Sequence, residues 1–434
     1  MAESTRTIFT GARLVDAGEA LNGVSVVVEG SRFVSVEEGG PPPARDGDRH
    51  IDLAGRTLLP GMVSAHFHSG FGAFGAGIAA PMLGLEASPG LYGMLAAHNA
   101  RTALECGFTS IIGSSNGDYL DVSLKEAIAM GLVEGPRVLA CSHELMVSGS
   151  QEDGENRAWF MELGHHGLAR KLDGAEAFRK AVREELGRGC DLVKIAVAPG
   201  HGASPVEDIC FLTDAEIEAV VETAHSRGKL VRAHCPSRKA ILACARAGVD
   251  IIDHADRVDA ECIEALLEAD CTVCPTLLWY SRFLELAENW DYGSQPFPIG
   301  EGAPETLEET QARVRGVRED FDYTCQMLPE LHRAGVRICV GDDFGTPLMP
   351  HGDYVSELEV YVKQLGVPAS DVLGWATANG AVAMGLGEEL GRITEGRFAD
   401  LLVVDGDPLS DIGALRNPVA VMKAGRLVVD QLAP

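Results

Sequence analysis

Six residues of this chain have the right types to hold metal ions together: His66, His68, Lys194, His234, His254 and one of the adjacent Asp342 and Asp343. The triplet His66-Phe67-His68 sets two imidazoles two positions apart, which puts them on one face of a strand. Imidazole is the commonest protein ligand for divalent transition metals. Taken singly, His234 and His254 read as structural histidines, and His66 with His68 as two residues of a surface turn. Together they gain weight because each closes, or lies within, an apolar β-rich run. Lys194 stands out most, inside Leu192-Val-Lys-Ile-Ala-Val197, where a bare ammonium is costly to bury. Two arrangements relieve that cost. The amine forms a salt bridge to a buried acid, or it is neutral and carbamylated, an anionic two-oxygen ligand able to bridge two metals.

The elements that must position these residues repeat along the chain. A helical pattern, a Gly and a short apolar run recur at Gly107 into Thr109–Ile112, Gly189 into Leu192–Val197, and Gly228 into Leu230–Ala233. The phrase returns at Gly248 into Asp250–Ile252 and Gly335 into Arg337–Val340, with Asp270 into Cys271–Cys274 as a variant. Gly after a helix supplies the left-handed cap, and the run after it reads as a buried parallel strand. The intervening helices include Glu176–Leu186 and Ile217–His225, the second opened by the capping box Thr213-Asp-Ala-Glu216. With Met62–Phe67 and Arg137–Ala140 the strands number about eight, which predicts a TIM-type (β/α)8 barrel of the α/β class. Barrel active sites sit at the C-terminal strand ends, where the six residues fall. Short strands and turns at both chain ends predict a small β-sandwich built from residues 1–60 and 388–434, beside a catalytic barrel of residues 61–387.

Composition narrows the partners. The 434 residues carry 36 Lys plus Arg against 64 Asp plus Glu, a net charge of -28. Phosphate backbones are bound by clustered cations, so nucleic acid and anionic membrane are excluded as expected partners. A small-molecule substrate and a homo-oligomer are expected. The eleven cysteines are scattered, and Cys271-Thr-Val-Cys274 has no second pair with which to form a zinc ribbon. They read as small buried hydrophobes in a reducing compartment. The N-terminus has no apolar signal core, and no apolar stretch is long enough to span a bilayer. A cytoplasmic protein is the expectation.

Several stretches resemble the amidohydrolase superfamily, within it the imidazolonepropionase-like and prolidase-like metal hydrolases. They are Thr57-Leu-Leu-Pro-Gly-Met62 before the His-x-His, Gly135-Pro-Arg137, Asp191-Leu-Val-Lys-Ile195, Gly341-Asp-Asp343, and the run from Gly391 to Pro408. The resemblance implies an α-metal on His66, His68 and Asp343 and a β-metal on His234 and His254. Carbamylated Lys194 (N6-carboxylysine) would bridge them, with zinc as the expected pair of ions. It implies hydrolysis of an amide-like C–N bond by a metal-bridging hydroxide, with Asp343 as general base and then acid, and His201 helping to polarise the carbonyl. N-acyl amino acids, aryl amides, carbamates and ureas are the expected substrates.

The chain departs from those relatives in places that bear on substrate. Asp342 fills a slot usually held by Thr or Ser. His234-Cys-Pro236 lacks the Tyr with which prolidase-like relatives hold a substrate carboxylate, and Arg238 or Arg257 would have to replace it. Ser237 stands where deaminase relatives place a Glu. A prolidase-like dipeptidase, a deaminase and a lactonase remain the alternatives, with a scaffold that has lost activity as a fourth. His143, Tyr280 and His351 follow strands three, seven and eight and are expected substrate contacts. The aromatic segment Trp279–Glu305 is expected to wall or cover the pocket. Gly70-Phe-Gly72-Ala-Phe-Gly75 matches a dinucleotide fingerprint but precedes no clear helix, and reads instead as a loop over the barrel mouth.

Overall fold

The computed structural model describes residues 6–16, 18–40, 43, 45–72, 87–150, 167–299, 305–346 and 348–432. The strands are β1 (Arg6–Asp16), β2 (Glu19–Glu29), β3 (Arg32–Glu38), β4 (Arg49–Asp52), β5 (Arg56–Pro60), β6 (Met62–Phe67), β7 (Phe108–Gly113), β8 (Arg137–Leu139) and β9 (Cys141–Met146). They continue as β10 (Ala169–Lys171), β11 (Leu192–Ala196), β12 (Leu230–Cys235), β13 (Ile251–His254), β14 (Thr272–Cys274), β15 (Arg337–Ile338), β16 (Leu401–Asp405), β17 (Pro418–Lys423) and β18 (Arg426–Asp430).

The barrel forms from two parallel sheets, β6-β7-β8 and β10-β9-β11-β12-β13-β14-β15. β8 and β9 are one stave interrupted at Ala140, whose carbonyl instead accepts from the Asp191 and Leu192 amides. The circle closes where the Ala65 amide donates to the Val340 carbonyl at 2.7 Å. That seam needs Gly341: its φ is +148°, and a β-carbon there would overlap the backbone nitrogen of His66. Ile112, Cys141, Leu192, Ile251, Cys274 and Cys339 pack as one cluster on the barrel strands. Leu192 and Ile251 lie two residues before Lys194 and Asp253, so this apolar layer sits directly beneath a charged one. The eleven thiols are unpaired, eight of them buried.

The strands of both chain ends join in one eight-stranded mixed sheet, ordered β18-β17-β16-β5-β1-β2-β3 with β4 on β1. It encloses its own core, including Phe9, Val26, Phe33, Leu58, Leu401, Val403 and Met422. β5, unanticipated as a separate strand, is the link, antiparallel to β16 and parallel to β1. Its Leu58 and Leu59 are fully buried, so the segment reads equally well as a lead-in to the barrel.

The expected helices are present at Ala175–Gly187 and Asp214–His225, the latter with the Thr213/Glu216 capping box formed. The aromatic segment begins as a helix, Leu277–Asn289. It then turns so that Phe297 meets Phe283, Trp290 and Tyr292 at centroid distances of 5.6–5.8 Å. The expected loop after Gly72 lies outside the described residues. No described helix is long and apolar enough to cross a membrane.

Candidate active site and metal centre

All six expected ligands come to the C-terminal end of the barrel, in two groups. In the first, His66 Nε2 and His68 Nε2 are 3.1 Å apart. Asp343 Oδ1 lies 2.9 Å from the first and 3.0 Å from the second. The outer contact of His68 sets its tautomer: Nδ1 donates to the Ser115 carbonyl at 3.1 Å. His66 Nδ1 lies 3.2 Å from Asp253 Oδ1 and 3.1 Å from Arg232 Nη2. His68 therefore turns an Nε2 lone pair toward the carboxylate oxygen, an arrangement that repels itself unless a cation or proton lies between. Burial pushes His68 down despite its contact with Asp343. Against burial, the His66 and His68 rings hold the Asp343 carboxyl well below the usual range.

In the second group His254 Nε2 faces His234 Nδ1 at 2.8 Å. His234 Nε2 donates to the Gly200 carbonyl at 3.1 Å, and His254 Nδ1 meets Thr276 Oγ1 at 2.5 Å. Again two lone pairs point at each other. Burial first, then the Lys194 charge and His201, pushes His234 down to about 3. Burial, then His201 and His234, lowers His254 well below its ordinary value. A shared proton is thus disfavoured, and a divalent cation fits the donors: two imidazole nitrogens with one carboxylate oxygen in the first group and two imidazole nitrogens in the second.

Lys194 lies between the groups, with its side chain beside a buried acid. Its Nζ is 2.6 Å from Asp253 Oδ2 and 3.5 Å from Ser114 Oγ. Asp253 is also clamped by Arg232, whose Nε is 3.1 Å from Oδ2 and whose Nη2 meets Oδ1. Arg232 Nη1 further donates to the carbonyls of Ala65 and Gly113, tying three staves together. Sequence reasoning passed over Arg232 and Asp253. The signal was there in charged residues inside the apolar runs of β12 and β13. Strand alternation would, however, have sent Asp253 and His254 to opposite faces. A left-handed backbone at His254 (φ 72°) and Ala255 (φ 54°) breaks that alternation, so both reach the site.

His201 reaches the second group from behind. Its ring stacks on His254 with centroids 3.7 Å apart. Its Nδ1 donates to Asp256 Oδ2 at 2.9 Å, and its Nε2 faces Thr276 Oγ1 at 2.9 Å. Tyr280 is fully buried and donates to the same Asp256 oxygen at 3.0 Å. It therefore supports His201 and, contrary to expectation, does not face a substrate. Thr276 and Asp256 were not anticipated.

Two other expected contacts are also corrected. His143 turns its Nδ1 to Glu185 at 3.1 Å on the helix behind β9 and is fully buried there. Its neighbour Glu144 is the one on the Lys194 side, paired in register with Lys194. His351 packs against Phe67 and Tyr354, its Nδ1 2.9 Å from the Tyr354 hydroxyl. Burial pushes it down to about 3. His143 turns away from the ligands because β9 runs on past the expected boundary at Ala140. Asp342 also points away from the metal ligands. Its Oδ2 accepts from the Leu278 and Trp279 amides, capping that helix, and its Oδ1 accepts from Asp343 N.

A sequence model of the amidohydrolase family matches residues 57–428. Ochratoxinase of Aspergillus niger is 25% identical over 448 residues, covering 97% of this chain and 86% of the relative. The solved structure of a prolidase complexed with N-methylphosphonate-L-proline is 28% identical. It superimposes with a TM-score of 0.83 over 98% of this chain and 100% of that one. A Xaa-Pro dipeptidase with bound methionine gives the same TM-score and coverage at 24% identity.

Proposed function

The chain belongs to the amidohydrolase family, and we propose that it hydrolyses an amide-like C–N bond in N-acyl amino acids, aryl amides, carbamates or ureas, with the six clustered residues as its metal site. The family is one of metal-dependent hydrolases acting on small molecules. The observation that carries the reading is the convergence of imidazole lone pairs with Asp343 Oδ1, which a cation relieves.

In this reading His66, His68 and Asp343 would hold one ion and His234 and His254 the other, with carbamylated Lys194 as a further ligand. Zinc at both positions follows from the imidazole-rich set. Divalent ions there supply Lewis acidity and an acidified water. Asp343 accepts the water's proton and returns it to the leaving nitrogen. Its 24% side-chain exposure, against 1% for His66, leaves it open to do so. His201, with both nitrogens engaged, acts by fixing His254 and Thr276 and is a positioning residue. A homo-oligomer in a reducing compartment, suited to eleven unpaired thiols, completes the proposal.

The 28% identity to a prolidase favours dipeptidase activity as the second reading. The two arginines that would hold a dipeptide's carboxylate count against it. Arg238 is paired with Asp259 and Glu261, and Arg257 with Asp320. Aryl-bearing amides and carbamates are therefore expected to exceed free dipeptides in kcat/KM. A panel of N-acyl amino acids, aryl amides, carbamates and dipeptides on zinc-loaded protein tests this. Dipeptides ahead by more than about tenfold would replace the first reading with the second. Intact-mass and metal analysis of the same sample should find one added carbon dioxide and two ions per chain, and a bare Lys194 with full metal would remove the carbamate from the scheme.

A further inference from the structure

Glu144 is a largely buried carboxylate at the barrel mouth, and among the described residues no side chain forms an ion pair with it. It is only 7% exposed, sits on β9 and pairs in register with Lys194 on β11. The register sets its side chain on the same face of the sheet as Lys194, and Lys194, His68, Asp253 and Asp343 are its charged neighbours. The nearest cation, Lys194, is committed to Asp253 at 2.6 Å, and Arg232 is committed to the same Asp253. Neighbouring acids of this site each have a donor: Asp253 has two cations, Asp256 has His201 and Tyr280 on its Oδ2, and Asp342 has backbone amides.

Burying a carboxylate without a donor is costly. A site that tolerates it is arranged to receive the missing donor from outside.

We propose that Glu144 forms a substrate subsite for a cationic amino group near the scissile carbonyl, so that the preferred substrates are aminoacyl amides with a free amine. The proposal rests on the amide-hydrolase reading above. It is compatible with an apolar, aryl leaving group, since it concerns only the acyl side.

The test is a matched pair, an aminoacyl anilide and its N-acetylated twin, on zinc-loaded wild type and on Glu144→Gln and Glu144→Leu. The expected result is a loss of roughly 10–100-fold in kcat/KM on the free amine, mostly in KM, as when one partner of a buried charge pair is removed. The twin should stay within about threefold, with metal content and the Lys194 carbamate unchanged. An equal loss on both substrates, or a loss of metal, would make Glu144 structural or a ligand and overturn the proposal. Calorimetric binding of the same pair keeps the two readings apart. If wild type cleaves neither compound but binds the free amine tenfold or more tightly in a Glu144-dependent way, the subsite stands and the amidase reading falls. Equal binding of both compounds removes the subsite.

Discussion

Adjacent carboxylates, Asp342 and Asp343, are separated in role by which way each points. Asp343 turns to two imidazoles and stays accessible, while Asp342 caps the Leu277–Asn289 helix. Burial, with Glu357 and Asp343 nearby, pushes the Asp342 carboxyl well above its usual range. Asp343→Asn is expected to lower kcat by roughly two to four orders of magnitude, as for loss of a general acid–base, while the fold remains. Asp342→Asn keeps an acceptor for the helix amides, and should cost much less in kcat than in thermal stability. Steady-state kinetics and melting of the two variants separate the roles, and the reverse order would exchange them.

Single elements determine how firmly the ligands are aimed. His254 ends β13 in a left-handed conformation and is held by Thr276, itself left-handed at φ 55° at the start of the next helix. Such backbone is costly for residues other than Gly and persists where surroundings over-determine it. Here His201, Asp256 and Tyr280 are those surroundings. Thr276→Val removes the acceptor of His254 Nδ1–H, and Asp256→Asn loosens His201. Each is expected to weaken binding of one ion roughly 10–100-fold, read by competition with a chromogenic chelator, with the first-group ion retained. At the barrel seam Gly341→Ala would push a methyl into the β6 backbone beside His66. That variant is expected to lose both stability and activity, the former by about 2–4 kcal/mol in denaturant unfolding.

Across the molecule, the sheet that carries the site also carries a pH dependence. Glu357 lies buried behind strand eight, where burial raises its carboxyl to about 7. Its Oε1 accepts from the Gly341 amide and the Tyr361 hydroxyl, both at 2.9 Å. In the unfolded chain the same acid titrates near its ordinary 4.5. Between those values the folded state binds the extra proton, so stability falls as pH rises from about 4.5 to about 7 and then levels. Glu357→Gln keeps an Oε1 acceptor for both donors. Urea unfolding of metal-free protein across pH 4–8 should show the variant with a flatter profile, and with more stability than wild type above pH 7, by on the order of 1–3 kcal/mol.

The sequence alone determined the barrel and picked out the six candidate ligands, because both are written in local patterns. The Gly-then-apolar-run phrase marks each stave, and a polar residue at the end of an apolar run stands out wherever the chain later goes. Tertiary structure decided what depended on facing. β9 runs on to Met146 past the break at Ala140, so alternation sends His143 out to Glu185 and Glu144 inward. A boundary set at Ala140 leaves both on a loop, and in a strand a shift of one residue exchanges the faces. Thr276 and Asp256 were equally illegible, and the charges of Arg232 and Asp253, visible inside their apolar runs, named no partner. Their roles arise from contacts between staves far apart in sequence and from left-handed turns at His254 and Thr276, which no residue preference announces. The sharing of one sheet by both chain ends was legible in outline. That β5 would be the strand joining them was settled only by its pairing with both β1 and β16.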